Sequence, residues 1–239
     1  EKNEIVKDDA LNVTISQVYQ KARDELSQNL QSLNEGVAFT SIAKNALDKQ
    51  NQSLENMQED LYKIDGNTQN NATDIKNGLA VHIQEFNDIA ENTTFKNEQI
   101  LLKDQKTENM NIVTPQNDFV MEQTNTKDIS TKLIQSIHTN EFNSQEDVDK
   151  ALNNVKTSIN EVSKLQEKYG ELEKNIETNA RDTITEQINL SKENSKARVI
   201  DFGSEISDFN KSNITSNVGH LVASQANIVQ EQSVRLLSK

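Results

Sequence analysis

The sequence predicts a mainly α-helical fold: an elongated antiparallel helical bundle or coiled coil with a small β-hairpin and a C-terminal assembly helix. Three observations predict it. Only 33% of residues are hydrophobic and 4% aromatic, with six glycines and one proline, which favours long helices sharing a narrow apolar seam over a thick globular core. Apolar residues recur at steps of three and four through both halves of the chain. Residues 212–230 keep this spacing without one charged side chain.

Charge and composition exclude several classes of function. The formal net charge of −13 argues against nucleic acid and anionic membrane as partners, because both attract basic surfaces. The chain has no cysteine, and its three histidines lie too far apart in sequence to place two on one helical face as metal ligands. No phosphate-binding glycine loop or nucleophile motif is present. We therefore predict a protein that is not an enzyme and has no catalytic residues, metal or cofactor.

The first helix is predicted to be very long. Asp8 and Asp9 lie where an acidic N-cap belongs, and Gly66 supplies a stop. A helix over residues 8–64 would be about 85 Å long at 1.5 Å per residue. Its apolar residues follow one another at helical spacing: Leu11, Ile15, Val18, Ala22, Leu26, Leu30, Leu33, Val37, Ile42, Ala46, Leu47, Leu54, Leu61 and Ile64. A second helix is predicted over residues 73–91. Its apolar face is formed by Ile75, Leu79, Ile83, Phe86 and Ala90.

The helical period lapses in the middle of the chain and then resumes. Residues 110–114 and 118–122 are short apolar runs that predict a small hairpin, with Pro115 early in its turn. Helix resumes near Ser144, where Ser-Gln-Glu-Asp predicts a capping box. Its apolar row steps by four and three and later drifts to steps of four, which favours packing in a bundle over a free two-stranded coil. The row comprises Val148, Leu152, Val155, Ile159, Val162, Tyr169, Leu172, Ile176, Ala180, Ile184 and Ile188.

The last 35 residues are predicted to form a helix surrounded by other protein. Asparagine, glutamine and serine fill the gaps between its apolar residues, so the segment is too polar to lie in a bilayer. Amide groups between apolar positions suit an interface in which each amide finds a partner. The residues predicted to form this assembly interface are Ile206, Phe209, Ile214, Val218, Leu221, Val222, Ala226, Val229, Leu236 and Leu237.

The chain is predicted to have four parts. Residues 1–103 form the N-terminal half of a rod domain with two helices, residues 104–143 a hairpin and connector, residues 144–202 a C-terminal rod helix, and residues 203–239 a terminal helix. Packing between the rod helices is predicted for a set of apolar residues on both halves. These are Ile15, Val18, Leu26, Leu33, Ile42, Leu54, Val155, Ile159, Val162, Leu172 and Ile176.

Several stretches resemble bacterial flagellins, in the order in which that family has them. The run DFGSEISDFNKSNITSNVGHLVASQANIVQEQSVRLLSK resembles the family's carboxy-terminal helix without a gap, KDDALNVTISQ resembles the opening of its first rod helix, and EFNDIAENTTFKNEQIL resembles its second helix and following turn. The third rod helix is similar to VDKALNNVKTSINEVSKLQEKYGELEKNIE, with Tyr169-Gly170 where the family usually has Leu-Gly. The family's amino-terminal helix, which precedes the Asp pair, has no counterpart in these residues.

The resemblance implies a short flagellin with rod domains only, because about forty residues separate the helical halves and leave no room for outer variable domains. It implies an extracellular structural subunit of the flagellar filament that self-assembles through terminal helices for motility. The implied partners are other copies of itself or related flagellins, a flagellin export chaperone that covers the tail interface, and hook-associated proteins. A classical signal peptide is not expected, so export is expected to use another route.

Two alternatives remain open at the level of sequence. One is a secreted flagellin-like protein that does not polymerise and interacts with host cells. The other is a non-flagellar coiled-coil adaptor, which predicts a stable parallel dimer in dilute solution. Filaments of uniform diameter, formed by the purified protein, would separate the first interpretation from both of these.

Overall fold

The structure, a computed structural model, describes residues 2–64, 72–103, 109–115 and 117–198, with side chains described from residue 16 to residue 196 within those ranges. The described residues form four helices and two small two-stranded sheets. The helices are α1 (Lys2–Tyr62), α2 (Ala72–Asn92), α3 (Lys127–Thr139) and α4 (Gln145–Arg198). The strands are β1 (Thr94–Phe95), β2 (Glu98–Gln99), β3 (Met110–Val113) and β4 (Asp118–Met121). The predicted mainly α-helical fold with a small hairpin is confirmed.

The chain divides into two compact units, and both long helices contribute to each of them. The first, here called the terminal unit, contains residues 1–38, 113–117 and 176–239; the second, the central unit, contains residues 39–112 and 118–175. In the central unit, α1 and α4 run antiparallel, because Lys44 lies beside Glu173 and Asn51 beside Ser163. The terminal unit is described for residues 2–38, 113–115, 117 and 176–198.

The helix α1 extends over 61 residues. The prediction of an N-cap at Asp8 and Asp9 is wrong, because α1 begins at Lys2 and passes through both residues. Residues 2–7 contain neither glycine nor proline, so nothing in the backbone chemistry stops the helix there. Gly36 also lies within the helix and is buried.

A tight hairpin follows α2 and reverses the chain. Thr94 pairs with Gln99 and Phe95 with Glu98, in antiparallel register. The two turn residues, Lys96 and Asn97, have φ values of 51° and 69°. Positive φ at both central residues is the geometry of a type I′ turn, whose twist matches that of the flanking strands. The chain therefore turns back directly onto the end of α2, where Gln99 Nε2 donates to Glu91 O at 2.9 Å.

The hairpin predicted around Pro115 is present as β3 and β4. Thr114 closes its turn, because the Thr114 N–H and hydroxyl both donate to Asn117 O, at 3.0 and 2.7 Å. The Asn117 N–H in turn donates to Thr114 Oγ1 at 3.0 Å. Ile112, Phe119 and Met121 point inward and are buried.

The helix α3 lies in the stretch predicted to contain only a hairpin and connector, so that prediction was incomplete. Ile129, Leu133 and Ile137 repeat at steps of four and are buried, which is the period of a helix face. The helix has 13 residues and its cap residue, Thr126, makes no side-chain capping bond. Instead the Thr126 hydroxyl donates to Leu101 O at 3.3 Å. A short element without a recognisable start signal is easily missed in a sequence.

The start of α4 agrees with the predicted capping box, with one change. Ser144 Oγ accepts from the Asp147 N–H at 3.3 Å, as the motif requires. The Asp147 carboxylate, however, accepts from the N–H of Asn143 at 3.1 Å, one residue before the cap. The cap therefore satisfies two backbone donors that α4 itself cannot pair.

Replacing Ser144 with alanine is expected to lower the free energy of unfolding by about 1 kcal/mol, because the Asp147 N–H loses its side-chain acceptor and keeps only the bond to Ser144 O. Urea denaturation followed by circular dichroism measures the change. Ser144→Asp is the matched control, since its carboxylate keeps an acceptor at the same position and should retain most of the stability. Equal losses in both variants would show that capping is not what Ser144 contributes.

Candidate functional site

A buried polar junction joins three segments to α1 in the central unit. Gln50 is fully buried, and its Nε2 donates to Phe86 O at 2.9 Å and to Thr126 Oγ1 at 3.0 Å. The Thr126 hydroxyl in turn donates to Leu101 O at 3.3 Å. We call this set the Gln50 junction: Gln50, Phe86, Leu101 and Thr126. One amide on α1 thereby fixes the positions of α2, the segment after β2, and the start of α3. Hydrogen bonds buried in this way define one arrangement of the packed segments.

An aromatic cluster and a buried tyrosine hold α4 against α1 and β1 in the same unit. The centre of the Phe39 ring lies 5.6 Å from the centre of the Phe95 ring, in an edge-on arrangement, and 6.1 Å from the centre of the Tyr169 ring. The Tyr169 hydroxyl donates to Glu122 O at 2.7 Å. Burial raises the pKa of Tyr169, and the nearby Glu122 carboxylate raises it further. Lys168 donates to the Glu122 carboxylate, and this hydrogen bond lowers the pKa of Glu122.

Polar side chains also connect the exposed edges of α1 and α4. Asn51 donates to Gln166 Oε1 at 2.7 Å and to Ser163 Oγ at 3.3 Å. Gln166 donates to Asp48, and Lys44 forms an ion pair with Glu173. These contacts fix the register of the two helices, since each pairs positions more than a hundred residues apart in sequence. Exposed ion pairs add little stability, so specificity of pairing is their main effect.

His82 connects the end of α1 to α2. Its Nε2 lies 2.9 Å from Asp60 Oδ2 and its Nδ1 lies 3.5 Å from Glu85 Oε2. Asp60 also accepts from Lys63 Nζ at 3.1 Å. The hydrogen bond from His82 lowers the pKa of Asp60, the bond from Lys63 lowers it further, and desolvation opposes both. The contact therefore favours the ionised form of Asp60.

Asp60→Asn is expected to destabilise the chain by less than about 1 kcal/mol at pH 7. Because the folded-state pKa of Asp60 is lowered, its contribution is present above the ordinary carboxyl pKa of 3.8 and is lost as the pH falls through the folded value. Wild type and variant should therefore approach each other in stability as the pH falls below 3.8. Urea midpoints at pH 7 and at a series of acidic pH values measure this. Glu55→Gln, which removes an equal charge at an exposed position of α1, should show no such convergence.

A groove of about 560 Å³ lies between α2 and α3. Lys76 Nζ donates to His138 O at 2.9 Å, so the start of α2 meets the end of α3 and the two helices are antiparallel. The floor of the groove is apolar and one end is acidic. The floor residues are Ala80, Ile83, Ile134 and Ile137, and the acidic end is formed by Asp88 and Glu91. We call this feature the α2/α3 groove. Ile134 is 48% exposed within it.

The part of α4 in the terminal unit has two contrasting sides. One side buries uncharged polar residues at steps of three and four: Asn179, Thr183, Gln187, Ser191 and Asn194. Gln187 Nε2 donates to Ser27 Oγ of α1 at 3.2 Å, and Thr114 Oγ1 lies 3.4 Å from Asn179 Oδ1. The other side carries the exposed Ile188 and basic residues, with Ile184 half-buried at its edge. We call it the α4 basic face: Arg181, Ile184, Ile188, Lys192 and Lys196.

The predicted site residues fall into four groups. The ten predicted assembly residues, from Ile206 to Leu237, lie outside the described residues, as does the side chain of Ile15. Of the predicted rod-packing residues, six are buried: Leu26, Leu33, Leu54, Val155, Val162 and Ile176. Three are half-buried: Ile42, Ile159 and Leu172. Val18 is 64% exposed, so its packing between rod helices stays a prediction. Its position in the helical row puts it at the solvent edge of α1.

Sequence reasoning did not identify the Gln50 junction or the α2/α3 groove. A glutamine in a helix gives no sign of burial, because most glutamines are exposed. The groove depends on α3, whose row of Ile129, Leu133 and Ile137 was the available signal. The described part of the chain holds no group of three potential metal ligands and no helix long and apolar enough to span a bilayer.

Parts of this chain are similar to three known proteins. Flagellin A of Helicobacter pylori is 29% identical over 84 residues, which are 35% of this chain and 16% of that protein. YvzB of Bacillus subtilis, which carries a flagellin name, is 30% identical over 89 residues, 37% of this chain and 56% of YvzB. The matches therefore span less than two thirds of either relative. The crystal structure of Bacillus cereus flagellin is similar in fold, with a TM-score of 0.54 and 13% identity, covering 64% of this chain and 88% of that one.

The described residues form long paired helices and short hairpins that are held together by buried polar junctions. Residues 152–237 match the family model of the bacterial flagellin C-terminal helical region. Over these residues the chain is flagellin-like.

Proposed function

We propose that this chain is a structural subunit of the bacterial flagellar filament, self-assembling through its terminal helices for motility. The observation that carries the proposal is the match of residues 152–237 to the flagellin C-terminal helical region, because it includes the uncharged tail. The fold shared with Bacillus cereus flagellin supports it. Proposed partners are other copies or related flagellins, an export chaperone and hook-associated proteins.

The chemistry of the tail supports assembly through it. From residue 212 to residue 230 the segment has no charge, yet apolar residues recur at helical spacing. Leaving a large apolar side chain in water costs about 1.5 to 3 kcal/mol relative to burial. Packing between neighbouring copies would recover this free energy, and a chaperone would cover the same residues before export. We therefore propose that the ten residues from Ile206 to Leu237 form the polymerisation and chaperone interface.

Polymerisation of the purified chain tests the proposal. The protein is concentrated, with and without ammonium sulfate to strengthen apolar burial, and is examined by electron microscopy and light scattering. Tubes of uniform diameter are the expected result. Val222→Asp should abolish them, because it places a charge in the apolar row, whereas Ser224→Asp adds the same charge between the apolar positions and should be tolerated better.

Two outcomes would contradict the proposal. A wild-type chain that stays monomeric at every concentration would favour the secreted, non-polymerising alternative. A stable parallel dimer in dilute solution, with no larger species, would favour a coiled-coil adaptor. Sedimentation velocity distinguishes these from filament formation.

A further inference from the structure

The acidic end of the α2/α3 groove lacks a cation. Asp88 and Glu91 lie one helical turn apart and have no ion pair within the described ranges. They occupy the last turns of α2, which ends at Asn92 without a basic residue in its last turn. Carboxylates there face the negative end of the helix dipole, an unfavourable position. A basic group from another molecule would reduce the repulsion between the two carboxylates and their repulsion from the helix dipole.

The floor of the groove also lacks a covering partner. Ile134 is nearly half exposed in it, and Asn87 Oδ1, which lines it, is buried without a hydrogen-bond donor in the described structure. Buried acceptors are normally paired. The lining of α2 runs from Lys76 to Glu91, a length of about 22 Å at 1.5 Å per residue. The groove is therefore long enough to receive about four turns of a helix.

The α4 basic face has the complementary pattern. Ile184 and Ile188 are followed on the same side by Lys192 and Lys196, each one helical turn further on. Neither lysine forms an ion pair among the described residues. Glu193 follows Lys192 directly and so lies about 100° round the helix. In a chain of net charge −13, this helix side carries the exposed Ile188 and two lysines, which match the apolar floor and the acidic end of the groove. At the other end of the groove, Lys76 donates to His138 O.

We propose that the α4 basic face of one copy docks into the α2/α3 groove of the next copy. On α4, Ile188 and Lys196 are eight residues apart, and on α2 the same spacing separates Ile83 from Glu91. If α4 of one copy lies parallel to α2 of the next, Ile188 therefore lies over the floor of the groove and Lys196 reaches its acidic end. The two surfaces are different, so the contact is heterologous and repeats into an open helical assembly. The proposal rests on the proposed function and names the contact by which the rod regions join.

Charge reversal tests the pairing in the full 239-residue chain. Asp88→Lys with Glu91→Lys, or Lys192→Glu with Lys196→Glu, is expected to weaken self-association about tenfold or more, because like charges then meet across the contact. All four substitutions in one chain restore opposite charges and should return association to within about threefold of wild type. Glu55→Lys with Glu171→Lys is the control for the first pair, since it makes the same change of net charge at exposed positions that do not line the groove. Light scattering against concentration at low salt gives the affinities.

Disulfide cross-linking tests the contact independently of charge. The chain has no cysteine, so an Ile134→Cys variant mixed with an Ile188→Cys variant should form a mixed disulfide under mild oxidation if the two positions meet. Val81→Cys is the control, since Val81 is exposed on α2 outside the groove lining. Filaments that form without this cross-link, and without response to charge reversal, overturn the docking but leave the proposed function intact. A chain that never self-associates overturns both.

Discussion

Phe39→Ala is expected to lower the free energy of unfolding by about 3 to 5 kcal/mol, the range for removing a buried phenylalanine. Phe39 is 1% exposed and contacts Phe95 and Tyr169 with its ring. Truncation leaves a cavity among α1, β1 and α4 and also removes both aromatic contacts. Such pairs contribute about 0.5 to 1.5 kcal/mol beyond their buried area. The loss should therefore lie toward the upper part of the range.

Urea denaturation followed by far-ultraviolet circular dichroism measures the loss. Val81→Ala, at an exposed position of α2, is the matched control and should change stability by no more than about 0.5 kcal/mol. Phe39→Leu should be intermediate, since it keeps much of the apolar volume but neither ring contact. Equal stability of the alanine and leucine variants would show that volume at this position contributes nothing.

The periodicity of the sequence predicts the long helices because each has a face that must be buried. Leu47, Leu54 and Leu61 on α1 and Val148, Val155 and Val162 on α4 are buried as their spacing requires. The hairpin was predictable for a different reason, since Pro115 interrupts two β-rich runs where no helix could continue. In both the long helices and the hairpin, residues close together in sequence determine the structure.

The row of apolar residues near the end of α4 shows where such reasoning fails. A row with strict steps of four advances about 40° round the helix at each step. From Ile176 to Ile188 it moves about 120°, and Ile188 is accordingly exposed while Gln187 and Ser191 are buried. The α4 basic face arises from this drift. The α2/α3 groove could not be predicted at all, because it exists only where two helices distant in sequence lie side by side.

Gln50→Ala is expected to lower the free energy of unfolding by about 2 to 4 kcal/mol, through a cavity and the loss of two buried hydrogen bonds. The donor to Phe86 O and Thr126 Oγ1 disappears, so α2 and the start of α3 lose their common attachment to α1. Gln52→Ala is the control at an exposed position of the same helix and should remain within about 0.5 kcal/mol of wild type.

Gln50→Met separates packing from hydrogen bonding at this junction. Methionine keeps most of the volume of glutamine and forms no hydrogen bond to either acceptor, but it also removes Gln50 Oε1, which is buried without a partner among the described residues. The gain from removing that oxygen offsets part of the lost bonding, so a net cost of about 1 kcal/mol is expected. Protease sensitivity of residues 93–126 should rise in Gln50→Ala more than in Gln50→Met. If methionine is as costly as alanine, the hydrogen bonds, and not the filling of space, hold the three segments together.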